Sequence, residues 1–240
     1  MPESVKATTA DRLYFDRSIL PPALAHALRR LATFSNPMFL ELQRMRLSVA
    51  RTPRVIACFE DLDRHLALPR GCLADASALL AALDIRLDLR DARVDGEQTA
   101  FEFTGNLNES QQEAARALLA NDTGVLCAPP GSGKTILATS LIAARGRSTL
   151  VLVHRKPLVE QWAERLAEFL DIPPRAIGTI GAGRPRTTKQ IDIAMVQTLA
   201  RSDSLHELVC GYGHLVIDEC ATMFLPYQSS ACSQQFPRAM

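Results

Sequence analysis

The sequence carries almost no net charge. Lys plus Arg total 27 against 26 for Asp plus Glu, which leaves +1. With no global positive field, any nucleic-acid binding must rest on local basic patches. A cysteine framework is also missing. None of the 6 cysteines sits in a CxxC pair, so neither a zinc knuckle nor a disulfide scaffold is indicated. Reduced thiols fit a cytosolic compartment, and a cytoplasmic chain is expected. No apolar run reaches the length of a membrane span. Met1 to Asp16 is interrupted by charges and has no signal-peptide core. Internal repeats and low-complexity tracts are absent. What remains is a globular balance, 47% hydrophobic and 22% charged, which excludes wholesale disorder. The 240 residues allow one large or two small domains.

The pattern of the chain changes near Gly105. Acidic and basic side chains balance in residues 1–104, which read as a small accessory α/β domain. Leu24 to Phe34 has helical apolar spacing behind a Pro21-Pro22 start. Leu73 to Leu83 is a second helix. Arg54 to Phe59, Ile85 to Leu89 and Ala100 to Phe103 read as strands, and Asp95-Gly96 as a turn. From residue 105 to 220 short apolar runs alternate with helical stretches. The expected strands are Gly124–Ala128, Thr149–Val153, Ile191–Val196 and His214–Ile217. The expected helices are Lys134–Ala144 and Pro157–Leu170. Alternation of this kind predicts an α/β fold with a mostly parallel sheet and covering helices. Continuous Val, Ile and Leu runs predict strands buried on both faces.

Ala128-Pro129-Pro130-Gly131-Ser132-Gly133-Lys134-Thr135 falls between an expected strand and an expected helix. It matches the Walker A pattern with Ala128 in place of the first Gly. The glycines let backbone N–H groups turn inward around phosphates, and the helix N-terminus adds its positive end. Lys134 is expected to reach the β- and γ-phosphates of ATP, and the Thr135 hydroxyl to ligate Mg²⁺. Such a loop needs an acidic partner for the metal and the attacking water. Leu215-Val216-Ile217-Asp218-Glu219-Cys220 supplies one, an apolar strand ending in two carboxylates. Asp218 is expected to hold Mg²⁺ through water, and Glu219 to orient or deprotonate the water, with Lys134 sharing the catalytic work.

These residues resemble helicase superfamily 2, in the branch of XPB-like and type III restriction (ResIII) ATPases with a DEAH or DECH box. The likeness covers residues 105–220 motif by motif and implies a RecA-like lobe. Leu107 to Ala114 is similar to the family's Leu-x-x-x-Gln-x-x-Ala entry motif, which implies that Gln111 reads adenine. Leu152 to Trp162 (LVHRKPLVEQW) resembles motif Ia, where a strand ends and a helix begins. Backbone N–H groups and Arg155 can meet a nucleic-acid phosphate there. Ile191 to Leu199 resembles the later strand-Gln-Ser/Thr-Leu motif, which implies DNA-backbone contacts for Gln197 and Thr198. Trp162 reads as a core residue on a helix face. Arg175, Arg184, Arg186 and Lys189 form an acid-free loop, either a phosphate follower or a solvated surface. Arg44, Arg46, Arg51 and Arg54 make a second basic stretch with the same two readings.

The resemblance implies a motor that hydrolyses ATP to move on DNA. Two other readings stay open: a P-loop ATPase unrelated to nucleic acid, and a non-catalytic DNA- or partner-binding remnant. Nuclease or modification subunits are not identified. The family pattern stops at Cys220, where two His are usual and Ala221-Thr222-Met223 stand instead. A second motor lobe, which carries the family's arginine finger, is not found in this sequence, so an impaired N-terminal fragment is expected. Residues 221–240 read as an out-of-frame tail. Codons for Ala221 to Gln228, shifted by two bases, can spell His-His-Val-Pro-Ala-Val-Ser. The nucleotide sequence beyond codon 220 checks this. The alternative frame should encode His-His and continue, and an early stop or no His-His contradicts it.

Overall fold

The computed structural model describes residues 2–181, 186–199 and 211–219. The tail read as out of frame and Arg184 therefore lie outside the described residues. The chain divides into two compact units, with the change falling between Arg93 and Val94.

The first unit contains β1 (Ser4–Thr9), β2 (Leu13–Asp16), α1 (Pro22–Leu31), β3 (Thr33–Ser35), α2 (Pro37–Arg44) and β4 (Val55–Ala57). It continues with β5 (Glu60–Asp61), β6 (His65–Leu68), α3 (Leu73–Ala81) and β7 (Arg86–Asp91). Five strands form one sheet in the order β5-β6-β2-β1-β7, and β3 pairs with β4 separately. Period-two alternation drives Val5 and Ala7 of β1 and Leu13 and Phe15 of β2 to one face. There they meet Leu24 and Leu28 of α1 and Ala76 and Leu80 of α3 in a single core. Pro22 opens α1 at a position whose N–H has no helical partner in any case. The expected helices, β4 and β7 are present. The β1–β2 hairpin and β6 were not expected from the sequence: β1 buries Ala7 and Thr9 beside Val5, and β6 buries Leu66, Ala67 and Leu68 in a row, so neither strand shows a clean apolar alternation.

The second unit contains α4 (Glu109–Leu119), α5 (Lys134–Arg145), β8 (Thr149–Val153) and α6 (Lys156–Phe169). After these come β9 (Gly178–Ile180), β10 (Ile191–Met195), α7 (Val196–Leu199) and β11 (His214–Ile217). The four strands form a wholly parallel sheet in the order β11-β8-β10-β9. One face packs Val151, Val153, Ile191 and Ile193 against Ile142 of α5 and Val159, Trp162 and Leu166 of α6. The other face gathers Leu150, Ile180, Ala194 and Leu199. The mostly parallel α/β sheet read from the sequence is therefore the observed one.

Two expected strands do not form. Gly124–Ala128 and Ala100–Phe103 are outside any strand. Val125 is 73% exposed. Strand composition cannot substitute for a neighbour to share the backbone ladder, and among the described residues neither segment has one. Residues 95–104 instead tie onto the second unit. Ser148 N–H donates to the Glu97 carbonyl at 2.7 Å, and Thr104 N–H donates to the Phe169 carbonyl at 2.9 Å. Gly96 has φ +66° and lies so close to Gly213 that neither position has room for a side chain.

Asp192 on β10 is fully buried, and its carboxylate is satisfied. It accepts from Thr188 Oγ1 at 2.6 Å, Thr188 N–H at 2.9 Å, Lys189 N–H at 3.2 Å and the Tyr212 hydroxyl. Burial and this carboxylate push the Tyr212 hydroxyl well above the usual tyrosine range. The cluster joins the approach to β11 with the approach to β10.

His214, the first residue of β11, is pushed down from 6.5 to about 4, by burial first and the Arg145 charge second. The folded chain thus binds fewer protons than the unfolded chain between these values. The stability contributed by neutral His214 is complete above pH 6.5 and is lost as pH falls toward 4. At pH 4.5 the loss is roughly 2 kcal/mol. Denaturant unfolding at pH 7 and pH 4.5 should show a smaller acid loss for His214→Gln than for the unmodified chain. Equal losses would contradict the assignment.

Candidate functional site

The Walker A residues form a tight loop in front of α5. Gly131 and Gly133 have φ +79° and +80°, in the left-handed region that favours glycine. Lys134 Nζ donates to the carbonyls of Ala128 at 2.9 Å and Pro129 at 3.0 Å, so its side chain folds back along the loop. Gly133 is the N-cap of α5, and no side chain caps the helix. The first-turn N–H groups are therefore left to bind an anion. The Ser132 hydroxyl is buried and has no hydrogen-bond partner. An uncapped helix, an orphaned hydroxyl and an open glycine at 131 fit a phosphate group. Thr135 follows in the first turn, half-buried, where its hydroxyl suits a hard cation.

Gln111 is brought to this loop from α4. Asn108 caps α4, and its side chain accepts from Gln111 N–H at 2.9 Å while Gln111 Oε1 accepts from Asn108 N–H at 2.9 Å. This reciprocal capping box satisfies two otherwise orphan donors. It also aims the Gln111 amide, whose Nε2 donates to the Ser132 carbonyl at 2.9 Å. Gln111 is thus neither an exposed helix residue nor remote from the loop.

The two carboxylates follow β11. Asp218 N–H donates to the Leu152 carbonyl at 3.0 Å, which continues the β8–β11 ladder to the acid itself. Asp218 Oδ2 accepts from Trp162 Nε1 at 2.8 Å. Trp162 is 3% exposed, in the core as expected. Its bond to Asp218 was not foreseen. The signal was available, because a buried indole N–H needs an acceptor. Glu219 has φ +52°, uncommon for a residue with a Cβ, and its Oε2 lies 3.4 Å from His154 Nε2.

Gln197 Nε2 donates to the His154 carbonyl at 2.9 Å. Three segments that are distant in sequence, 152–162, 197 and 218–219, therefore meet at the carboxyl ends of adjacent parallel strands. That is where open α/β sheets bind ligands. Arg155 is exposed at the N-cap of α6. Thr198 is half-buried and packs against Gly181, where an added Cβ would lie 2.3 Å from its hydroxyl. In the basic loop, Arg186 donates to the Pro174 carbonyl at 3.1 Å, and Lys189 lies 5.2 Å from the Tyr212 ring centre. Both have work within their own unit, which favours the structural reading of these two residues.

A parallel sheet flanked by helices and fed by a Walker-type loop is the RecA-like lobe of P-loop proteins. Comparison with known proteins narrows that class. Residues 104–224 match the family described as "Type III restriction enzyme, res subunit". The chain belongs to this family, within the XPB-like branch of superfamily 2 helicases. It is 33% identical over 111 residues to the putative DNA 3'-5' helicase Rad25 of Halobacterium salinarum, covering 46% of this chain and 18% of that one. It is 36% identical over 72 residues to the DNA 3'-5' translocase XPB2 of Sulfurisphaera tokodaii, covering 30% and 16%. The aligned parts are thus under a fifth of either relative. The UvsW helicase of bacteriophage T4 has a similar fold, with a TM-score of 0.64 and 16% identity over 90% of this chain and 83% of that one. No helix of the described residues is long and apolar enough to cross a membrane.

The loop geometry separates two glycines. A Cβ at Gly131 would meet nothing within 4 Å, whereas one at Gly133 would lie 2.5 Å from Gln111 Nε2. Each Ala variant carries the left-handed strain of about 1 kcal/mol, but only Gly133→Ala must also push Gln111 off the Ser132 carbonyl. Denaturant unfolding should rank Gly133→Ala as the less stable of the two. The reverse order would contradict the Gln111 contact.

Proposed function

We propose that this chain binds Mg-ATP and couples its hydrolysis to DNA, as the nucleotide-binding half of a helicase or translocase motor. One observation carries the reading. The Asp218-Glu219 pair is held at the carboxyl end of β11, in ladder with the strand that leads into the Arg155 helix turn. Chemistry and strand contact would thus share one edge of the sheet.

In this reading the backbone from Ala128 through Pro129, Pro130, Gly131, Ser132 and Gly133 cradles the phosphates. Lys134 leaves the Ala128 and Pro129 carbonyls to offset the β- and γ-phosphate charge, a local exchange of one set of acceptors for another. Thr135 and Asp218 would hold Mg²⁺, which when bound would supply positive charge beside the phosphates. Glu219 orients the attacking water and takes its proton. Gln111, fixed by its capping box, faces the adenine. Arg155, Gln197 and Thr198 contact the DNA backbone and carry no sequence preference. We assign residues 1–93 to an accessory domain and 94–220 to the motor lobe, moving the boundary from the expected residue 104 because residues 95–104 hydrogen-bond to the second unit. The family resemblance assigns the arginine finger to a second motor lobe, outside the lobe described above. A finger of that kind contributes roughly 10³–10⁵ in rate.

Nucleotide titration tests the ATP part. Lys134→Ala should weaken ATP binding by roughly tenfold or more, the scale of a charge-assisted phosphate contact. Unchanged affinity would remove the assignment. For DNA, affinity should fall steeply with salt and ignore base sequence, since each neutralised phosphate releases counterion. A salt-insensitive or sequence-reading complex would refute that part.

A further inference from the structure

Trp162 lies on the buried face of α6. It is 3% exposed and belongs to one core with Val159, Leu166, Val151 and Val153. The core therefore fixes the direction of its indole N–H. An indole has one donor and no acceptor, and a buried donor left without a partner costs free energy. Asp218 Oδ2 supplies the partner at 2.8 Å. The main chain of Asp218 is fixed as well, through its N–H to the Leu152 carbonyl at 3.0 Å. Among the described residues no other side chain bonds to this carboxylate. Asp218 is thus pinned at its backbone and at one oxygen, and Oδ1 is the oxygen left for a ligand.

A carboxylate can meet a cation with one oxygen or with both. Ca²⁺ accepts either mode in a loose shell of many oxygens. Mg²⁺ demands a compact octahedron and keeps several waters, so it suits single oxygens. Turning both oxygens of Asp218 to an ion would take Oδ2 off the indole and orphan a buried N–H. We propose that Trp162 is a positioning residue that restricts Asp218 to contact through one oxygen and so biases the nucleotide site toward Mg²⁺ and against Ca²⁺. The proposal rests on the ATPase reading above and adds to it a determinant of cation choice outside the ligands themselves. Trp162 acts through Asp218 and needs no contact with nucleotide or ion.

ADP affinity, measured by equilibrium dialysis in Mg²⁺ and again in Ca²⁺, tests the bias. The unmodified chain should bind ADP more tightly with Mg²⁺. Trp162→Phe removes the donor and keeps an aromatic ring in the core. Its ratio of Mg²⁺-supported to Ca²⁺-supported affinity should fall about three- to tenfold, the scale of one hydrogen bond. The smaller ring leaves a cavity, so a second protein guards against loss of fold. Trp162 is the single tryptophan of the chain, and biosynthetic replacement by benzothienylalanine puts sulfur in place of the N–H at nearly constant shape. This isostere should show the same fall, and where the two proteins differ the isostere decides. A merely structural role would weaken ADP with both ions alike. An unchanged ratio in the isostere, or an unmodified chain that binds ADP equally with the two ions, would overturn the proposal. A second measurement needs no nucleotide. The one indole ¹⁵N–¹H signal should move to higher field in Asp218→Ala, which removes the acceptor. A signal indifferent to that change would overturn the contact. If ADP binds with neither ion, the ATPase reading itself fails and the cation bias falls with it, while the indole signal still decides whether Trp162 holds Asp218.

Discussion

The ladder on both sides of β8 is the constraint on which the site depends. β8 pairs in parallel with β10 over Thr149–Val153 and with β11 over Thr149–Leu152. Thr149, Leu150, Val151 and Val153 are buried. A parallel pairing fixes which strand ends lie side by side, and a slip of one residue would reverse which side chains face the core. Val151 and Val153 pack against Val159, Trp162 and Leu166 on one face, and Leu150 joins Ile180 and Ala194 on the other. The register is therefore enforced by apolar burial on both sides. Its consequence at the carboxyl end is chemical. His154, the start of α7 and Asp218 arrive together because their strands are in register.

The buried polar groups keep that register specific. Asp192 sits inside the second unit, its carboxylate accepting from Thr188, Lys189 and Tyr212. A buried carboxylate without such donors would be strongly unfavourable, and one so surrounded can exist in one arrangement only. The phosphate loop is built differently. It leaves the Ser132 hydroxyl unpartnered and lends Lys134 to its own carbonyls. One region is satisfied internally, and the other keeps polar groups that a ligand can claim.

Much of this was legible in the residues. Thr149–Val153 and His214–Ile217 are strands with the bounds their apolar runs gave, and α5 and α6 begin within a residue of their expected starts. The glycine loop before α5 and the acids after β11 lie where their residue pattern placed them. The Gly124–Ala128 strand was misread because composition reports the propensity of a segment and not whether a partner lies beside it. Val125 looks like strand core and is 73% exposed. Side-chain pairs across 43 to 65 residues, such as Gln197 with His154 and Trp162 with Asp218, were illegible for a different reason. Nothing in the spacing of either partner names the other. Only the parallel register brings them together.

If the carboxylates, the helix turn and the phosphate loop act as one device, nucleotide binding must be felt at Trp162. This is the single tryptophan of the chain, and its indole is bonded to the proposed Mg²⁺-binding acid at 2.8 Å. Indole emission followed during titration with Mg²⁺ and ADP is the most direct measurement of that coupling. The account predicts a saturable change that requires both Mg²⁺ and nucleotide and is lost in Asp218→Asn. Nucleotide bound with Mg²⁺, verified by equilibrium dialysis, with the emission of Trp162 unchanged would contradict it.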